Sequence, residues 1–288
     1  MRLTINTHEV YCYTGGKPFD PALPVVVLLH GAQNDHSVWT LQSRALAHRG
    51  HAVLAPDLPG HGLSAGPPLE TAEAMAGWVL AVLDAAGVER ALLAGHSMGS
   101  LIALEAAYLA PRRVSGLALL GTTYPMKVAD TLLDTARDRE GEAIDMVAAW
   151  SHASWLPGPS TAGPGTSVLN TARRLMQRMA ARGAPRMLYT DFTACNAYAN
   201  GESAAASVAC PTLFVLGRKD IMTSPRSTAR LTGAIGHARI VTVDAGHALM
   251  AEAPDAVLAA LGDFAAAAAA GHGPVHTSGG FGPRAGAV

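Results

Sequence analysis

Short apolar runs recur along the chain and alternate with longer segments of helical period. Residues 2–13 alternate apolar and polar side chains in two pieces broken at Asn6-Thr7-His8, which predicts an edge hairpin ending at Gly15-Gly16. Pro24-Val25-Val26-Val27-Leu28-Leu29 is instead apolar throughout, the mark of a strand buried on both faces. Similar runs follow at residues 52–55, 91–94, 114–120, 212–216 and 241–243, with helical patterns at residues 37–48, 69–86, 100–110 and 254–270. Up to residue 121 this is the rhythm of right-handed crossovers in a parallel sheet.

The rhythm then breaks. Residues 122–209 carry helical patterns at 128–150, 166–182 and 185–199 with no convincing strand, and a Pro/Gly-rich loop at 157–165 separates the first two. This divides the chain into a core of residues 1–121 and 210–270 and a helical insertion, 122–209. The insertion is rich in methionines and aromatics, among them Met176, Met187, Trp150, Trp155 and Phe192. Such side chains either form its own small core or line an adaptable apolar pocket; as a lid it would turn some of them, Trp150 and Met187 among them, toward a substrate. Residues 271–288, glycine-rich with little apolar content, read as a flexible, dispensable tail.

Composition narrows the class. A chain of 288 residues, 49% hydrophobic, holds one large α/β domain or a domain with a sizeable insertion. A formal net charge of −1 favours neither nucleic acid nor an anionic membrane as partner. A small-molecule substrate fits better, with a second copy of the chain, giving a homodimer, as the other candidate partner. Cys12, Cys195 and Cys210 form no Cys-x-x-Cys pair and suggest thiols in a reducing compartment. The first residues lack an apolar signal core, and no apolar run reaches the length of a membrane span, so a cytoplasmic location is expected.

The candidate chemistry centres on Gly95-His96-Ser97-Met98-Gly99. The segment joins an apolar run to a helical one, so Ser97 must sit on a very sharp turn, where side chains at the flanking glycines would strike neighbouring backbone. The turn projects Ser97 outward as a candidate nucleophile and leaves the Met98 N–H, at a helix N-terminus, free to stabilise an oxyanion.

Two other strand ends carry polar residues. After Leu29 comes His30-Gly31-Ala32, either an ordinary strand-to-helix loop or a place where the main chain turns around a substrate and the Ala32 N–H becomes a second oxyanion donor. Trp39 lies near enough in sequence to line that pocket, or belongs to the core. Asp57 and His61, in Asp57-Leu58-Pro59-Gly60-His61-Gly62-Leu63-Ser64, could pass for a catalytic pair but fit better as polar side chains bonding local backbone in a glycine-rich turn.

Together with Gly217-Arg218-Lys219-Asp220, Gly246-His247 and Glu252-Ala253-Pro254, these motifs stand in the order found in α/β-hydrolases, which the chain resembles over roughly residues 1–270. The resemblance implies a doubly wound, mostly parallel sheet with an inserted helical cap. It implies Ser97 as nucleophile, Asp220 as acid and His247 as general base, with the Ala32 and Met98 N–H groups as the oxyanion hole, and no cofactor or metal. Asp57 precedes a turn already explained, and Asp244 is too close in sequence to His247 to reach behind the ring. An imidazole that titrates near neutrality can take the serine proton, and an aspartate behind it fixes the tautomer.

A serine at this position argues against haloalkane dehalogenase and epoxide hydrolase chemistry, which in this fold use an aspartate there. The expected activity is hydrolysis of a small, largely apolar ester, thioester or lactone through an acyl-enzyme. A carbon–carbon bond hydrolase of ring-cleavage products and a cofactor-free perhydrolase or lyase are alternatives, and a non-catalytic ligand receptor is a more distant one.

Overall fold

The computed structural model describes residues 1–153 and 167–271. Trp155, the 157–165 loop and the tail beyond residue 271 lie outside the described residues. The elements run β1 (Arg2–Ile5), β2 (His8–Tyr13), β3 (Val25–Leu29), α1 (Thr40–His48), β4 (Ala52–Pro56), α2 (Ala72–Ala85), β5 (Ala91–His96), α3 (Met98–Leu109) and β6 (Val114–Leu120). Helices α4 (Asp130–Asp138), α5 (Glu140–Trp150), α6 (Val168–Arg182), α7 (Met187–Ala197) and α8 (Gly201–Ser207) come next. The chain then continues through β7 (Thr212–Gly217), α9 (Ala229–Ala234), β8 (Arg239–Val243), α10 (Leu249–Glu252) and α11 (Pro254–Ala269).

The sheet is β1-β2-β4-β3-β5-β6-β7-β8, antiparallel at the β1/β2 and β2/β4 pairings and parallel from β4 to β8. Alternate residues of its central strands feed two cores. Val27, Leu29, Leu54 and Leu93 pack with α2 and α3 on one face, while Val26, Leu28, Val53 and Leu92 pack with α1 and α11 on the other. The sheet is therefore doubly wound, and the uniformly apolar sequence of β3 and the apolar start of β5, Ala91 to Ala94, follow from burial on both sides.

Where residues 128–150 read as one helical stretch, the chain forms two helices: α4 ends against Asp138, Arg139 adopts a non-helical conformation, and α5 begins at Glu140. α8 has no counterpart in the sequence reading; seven residues are too few to display a helical period. Helices α4, α5 and α7 bury a small cluster around Leu132, Ile144, Leu188 and Phe192, so part of the insertion's apolar content is its own core. Glu105, buried in α3, accepts from Tyr198 Oη at 2.7 Å and Asn200 Nδ2 at 2.9 Å, tying the segment after α7 to α3. Among the described residues no helix is long and apolar enough to cross a membrane. Cys12 and Cys195 are buried and Cys210 half-buried, all three unbridged; burial pushes the Cys12 thiol up to about 12.

Candidate active site

Ser97 occupies the turn between β5 and α3 with φ +53° and ψ −122°, a region a side-chain-bearing residue enters only when its surroundings force it there. The flanking glycines show why. A Cβ at Gly95 would overlap the Gly99 carbonyl, and one at Gly99 would lie 2.6 Å from His30 O. The strained turn is held by Ser97 N donating to Leu120 O at 3.0 Å and by Ser100, whose backbone N donates to Ser97 O at 2.8 Å. Ser100 Oγ adds a bond to Thr122 Oγ1 at 2.7 Å.

The loops after β7 and β8 are laced together. Arg218 N donates to Val243 O and Lys219 N to Ala245 O, both at 2.9 Å. Gly217 permits this, since a Cβ there would overlap the Gly246 carbonyl. The result sets His247 Nδ1 2.8 Å from Asp220 Oδ2. Asp220 is fully enclosed: Oδ1 accepts from Met222 N and Thr223 N, both at 2.8 Å, and Oδ2 from Thr223 Oγ1 at 2.7 Å. Burial alone would raise its pKa, but the His247 hydrogen bond and charge, with the Thr223 donors, hold the carboxyl well below the ordinary range. Because an ionised carboxylate only accepts, His247 Nδ1 carries the proton and Nε2 is the ring nitrogen left with its lone pair.

His96, inside the Gly-x-Ser-x-Gly segment, lies with its ring 4.8 Å from that of His247 and its Nε2 2.8 Å from His247 O. Burial and the neighbouring His247 push its pKa down to about 3, so it stays neutral and donates through Nε2. Gly121, at φ +52°, leaves room for both rings; a Cβ there would sit 3.3 Å from each. His30 is neutral too: burial and the nearby His61 push it down to about 4, and its Nε2 accepts from Leu58 N at 3.1 Å while Nδ1 meets Gly31 O at 2.9 Å. These bonds fix the turn that carries Ala32 past Ser97, where a Cβ on Gly31 would approach Ser97 Cβ to 3.2 Å. Met98 opens α3, so its N–H has no helical carbonyl four residues back.

Ser97, His247, Gly31 and Ala32 all border one cavity of about 540 Å³. Its remaining wall is mostly apolar and includes Val38, Val147, Leu175, Met176, Phe192, Met222 and Met250. The three expected substrate contacts are not among its lining residues. Trp39 is fully buried with Leu28, Leu46 and Val53, because the turn at its end of the 3₁₀ segment His36–Trp39 presents Val38 and Thr40 to the cavity instead. Trp150, at the last turn of α5, points outward and is 37% exposed, while Val147, Ala148 and Ser151 face in. Met187 is sealed behind the wall with Leu175 and Met179. Phe192 and Met176, two of the insertion side chains that the sequence offers as pocket lining, do border the cavity, whereas Thr223 and Met222 carry no such signal beyond the Asp-x-x-Thr spacing of Asp220 and Thr223, the spacing by which a side chain grips a turn.

Asp57 behaves as a structural residue. Its Oδ1 accepts from His36 N at 2.7 Å and His36 Nδ1 at 2.8 Å, and its Oδ2 from Leu63 N at 2.8 Å. His61 departs from the expected local turn bond alone: besides Pro59 O, it meets Asp191 of α7 at 2.9 Å. Asp35, His36 and Asp57 bring potential metal-ligand atoms within 4.8 Å of one another, but the carboxylate oxygens already hold the donors named here and, for Asp35, Ser37 N at 2.8 Å. Asp244 pairs with Lys219 at 3.1 Å in an exposed position.

A family model described as alpha/beta hydrolase fold matches residues 24–254. The dihydrolipoyllysine-residue acetyltransferase component of the acetoin cleaving system of Pseudomonas putida is 43% identical over 102 residues, an alignment covering 34% of this chain but only 26% of that protein. Epoxide hydrolase A of Mycobacterium tuberculosis is 28% identical over 299 residues, covering 85% of this chain and 91% of that one. Among solved structures, the enol-lactonase from Burkholderia xenovorans superposes with a TM-score of 0.75 at 26% identity, covering 92% of this chain and 99% of that chain.

Proposed function

The chain is an enzyme of the alpha/beta hydrolase fold family, and from that premise we propose that it is a serine hydrolase cleaving a small, largely apolar carboxylic ester, thioester or lactone. The observation that carries this reading is that a strained, glycine-flanked Ser97 and an aspartate-backed His247 border the same apolar cavity. Ser97 Oγ attacks the carbonyl carbon as His247 Nε2 takes its proton, and the carbonyl electron pair moves onto oxygen, where the Ala32 and Met98 N–H groups stabilise it. The intermediate collapses with loss of the alcohol, thiol or enol, which receives the proton from His247. Water, deprotonated by the same nitrogen, then attacks the acyl-Ser97 carbonyl; as the second tetrahedral intermediate collapses, the acyl–Oγ bond breaks, Ser97 Oγ takes the proton back from His247 and the acid leaves. Asp220 keeps the imidazole in the productive tautomer and stabilises the imidazolium.

The likeness to an epoxide hydrolase does not extend to this chemistry, since opening an epoxide covalently in this fold calls for a carboxylate where Ser97 stands. The likeness to an enol-lactonase is compatible with a lactone as substrate. A cavity with Phe192, Met176, Met222 and Val147 on its wall suits an acyl group of medium length or a small ring. The test is a panel of p-nitrophenyl esters of increasing acyl length with mass spectrometry after a phosphonate inhibitor. The adduct is expected on Ser97, and Ser97→Ala is expected to fold and lose turnover. An adduct on another serine, or full activity in Ser97→Ala, overturns the reading.

A further inference from the structure

Gln33 is held from outside its own loop. Its φ of +49° lies in the left-handed region, where a residue bearing a Cβ needs external support. That support comes from the helical segment: Gln33 N donates to Asp191 Oδ2 on α7 at 2.7 Å, and Gln33 Nε2 donates to Glu140 Oε1 at the start of α5, also at 2.7 Å. Asp191 is fully buried. Its Oδ2 also accepts from His61 Nε2, and His61 Nδ1 faces Pro59 O at 3.1 Å. Both ring nitrogens of His61 thus face acceptor oxygens, and although burial lowers its pKa the Asp191 carboxylate raises it by more, which favours the doubly protonated ring beside Asp191.

Gln33 follows Ala32, and the Gln33 N–H and Ala32 C=O are the two ends of one planar amide. Asn34 Nδ2 donates to the Ala32 end of that plane at 3.1 Å, and Asn34 N donates to Gly31 O at 3.3 Å. The amide planes on both sides of Ala32 are therefore fixed, and among the described residues the anchor on the Gln33 N–H is Asp191. We infer that Asp191 is a positioning residue: by gripping the Gln33 N–H from the helical segment, it keeps the Ala32 N–H aimed at the cavity beside Ser97. The inference rests on the serine hydrolase reading, in which that N–H receives the oxyanion. It makes assembly of the oxyanion hole depend on the helical segment being seated.

The experiment compares Asp191→Ala, Asp191→Asn and the double variant Asp191→Leu/His61→Phe on one p-nitrophenyl ester, with phosphonate labelling of Ser97 and thermal unfolding measured on each. Asp191→Ala is expected to lower kcat by ~10–100-fold, less than the ~10²–10³-fold of a donor removed outright because the Ala32 N–H is misplaced rather than lost, with KM nearly unchanged. Asp191→Asn, whose amide oxygen still accepts from Gln33 N, is expected to keep most of the wild-type kcat. The double variant replaces a buried ion pair by apolar side chains, a change interiors tolerate; it is expected to fold and to repeat the kcat loss, so the outcome does not depend on Asp191→Ala folding. Unchanged kcat in whichever of Asp191→Ala and the double variant folds, or a loss as large in Asp191→Asn as in those, overturns the inference. Failure of the wild type to be labelled at Ser97 would instead overturn the hydrolase reading beneath it.

Discussion

Two buried histidine–aspartate pairs lie beyond the C-terminal ends of the strands, and at the level of a distance they are indistinguishable: His247 to Asp220 at 2.8 Å and His61 to Asp191 at 2.9 Å. Their second ring nitrogens separate them. His61 commits Nδ1 to Pro59 O and Nε2 to Asp191, so it has no ring nitrogen to spare in the seam beneath α7. His247 commits only Nδ1 to its carboxylate partner and borders the cavity with Ser97. A histidine–aspartate pair becomes a catalytic device when one nitrogen is left for a substrate; with both occupied it is a rivet.

The largest expected effect separates the aspartates by turnover. Asp220→Asn should fold yet lower kcat by up to ~10⁴-fold, because the amide no longer enforces the tautomer that leaves Nε2 basic. Asp57→Asn and Asp244→Asn should each change kcat by less than ~10-fold in folded protein. If folded Asp220→Asn keeps near-wild-type kcat while one of the others abolishes it, the roles are reversed. Stability should rank them differently. Asp57→Ala strands buried donors on His36 and Leu63 and should cost about 3 kcal/mol in urea unfolding, whereas Asp244→Ala, which loses an exposed pair with Lys219, should cost well under 1 kcal/mol.

A smaller effect sharpens the division between cavity wall and supporting packing. Phe192→Ala or Met176→Ala should shift the ratio of kcat/KM between long and short acyl esters by ~10-fold, the worth of one or two methylenes in an apolar pocket. Trp150→Ala, altering a residue that faces outward, should leave that ratio within ~2-fold. Equal shifts from Trp150→Ala would place the specificity elsewhere than in this cavity.

The last effect concerns acid and base and leaves turnover aside. His96, pushed down to about 3, stays neutral in the folded protein while the unfolded chain takes up a proton near pH 6.5, so its contribution to stability is lost as the pH falls between those values. The slope is about 1.4 kcal/mol per pH unit for this one group, and His96→Asn should flatten the acid limb of unfolding free energy against pH by that amount. His61 has the opposite sign. Burial would lower its pKa, but Asp191 more than offsets this and raises it, so its contribution is complete below the unfolded value and fades as the pH rises through the raised one. The stability gap between wild type and His61→Asn should therefore narrow at alkaline pH; a gap that widens there would mean that His61 is neutral.

Much of this was legible in the chain itself. The apolar runs of β3, β5 and β6 and the Gly95–Gly99 segment are local statements: a strand covered on both faces is apolar along most of its length, and a serine between strand and helix requires glycines that no distant contact can replace. What the tertiary structure alone decided is long-range. Trp150 and Met187 share their composition with Met176 and Phe192, and only the packing of α5, α6 and α7 over the sheet turns the second two toward the cavity and the first two away. His61 and Asp191 stand 130 positions apart, and no spacing rule couples residues on a loop after β4 and a helix before β7. Periodicity reports which face of an element is apolar, but the identity of what that face meets is set by loop paths and helix seating, which a one-dimensional pattern does not encode.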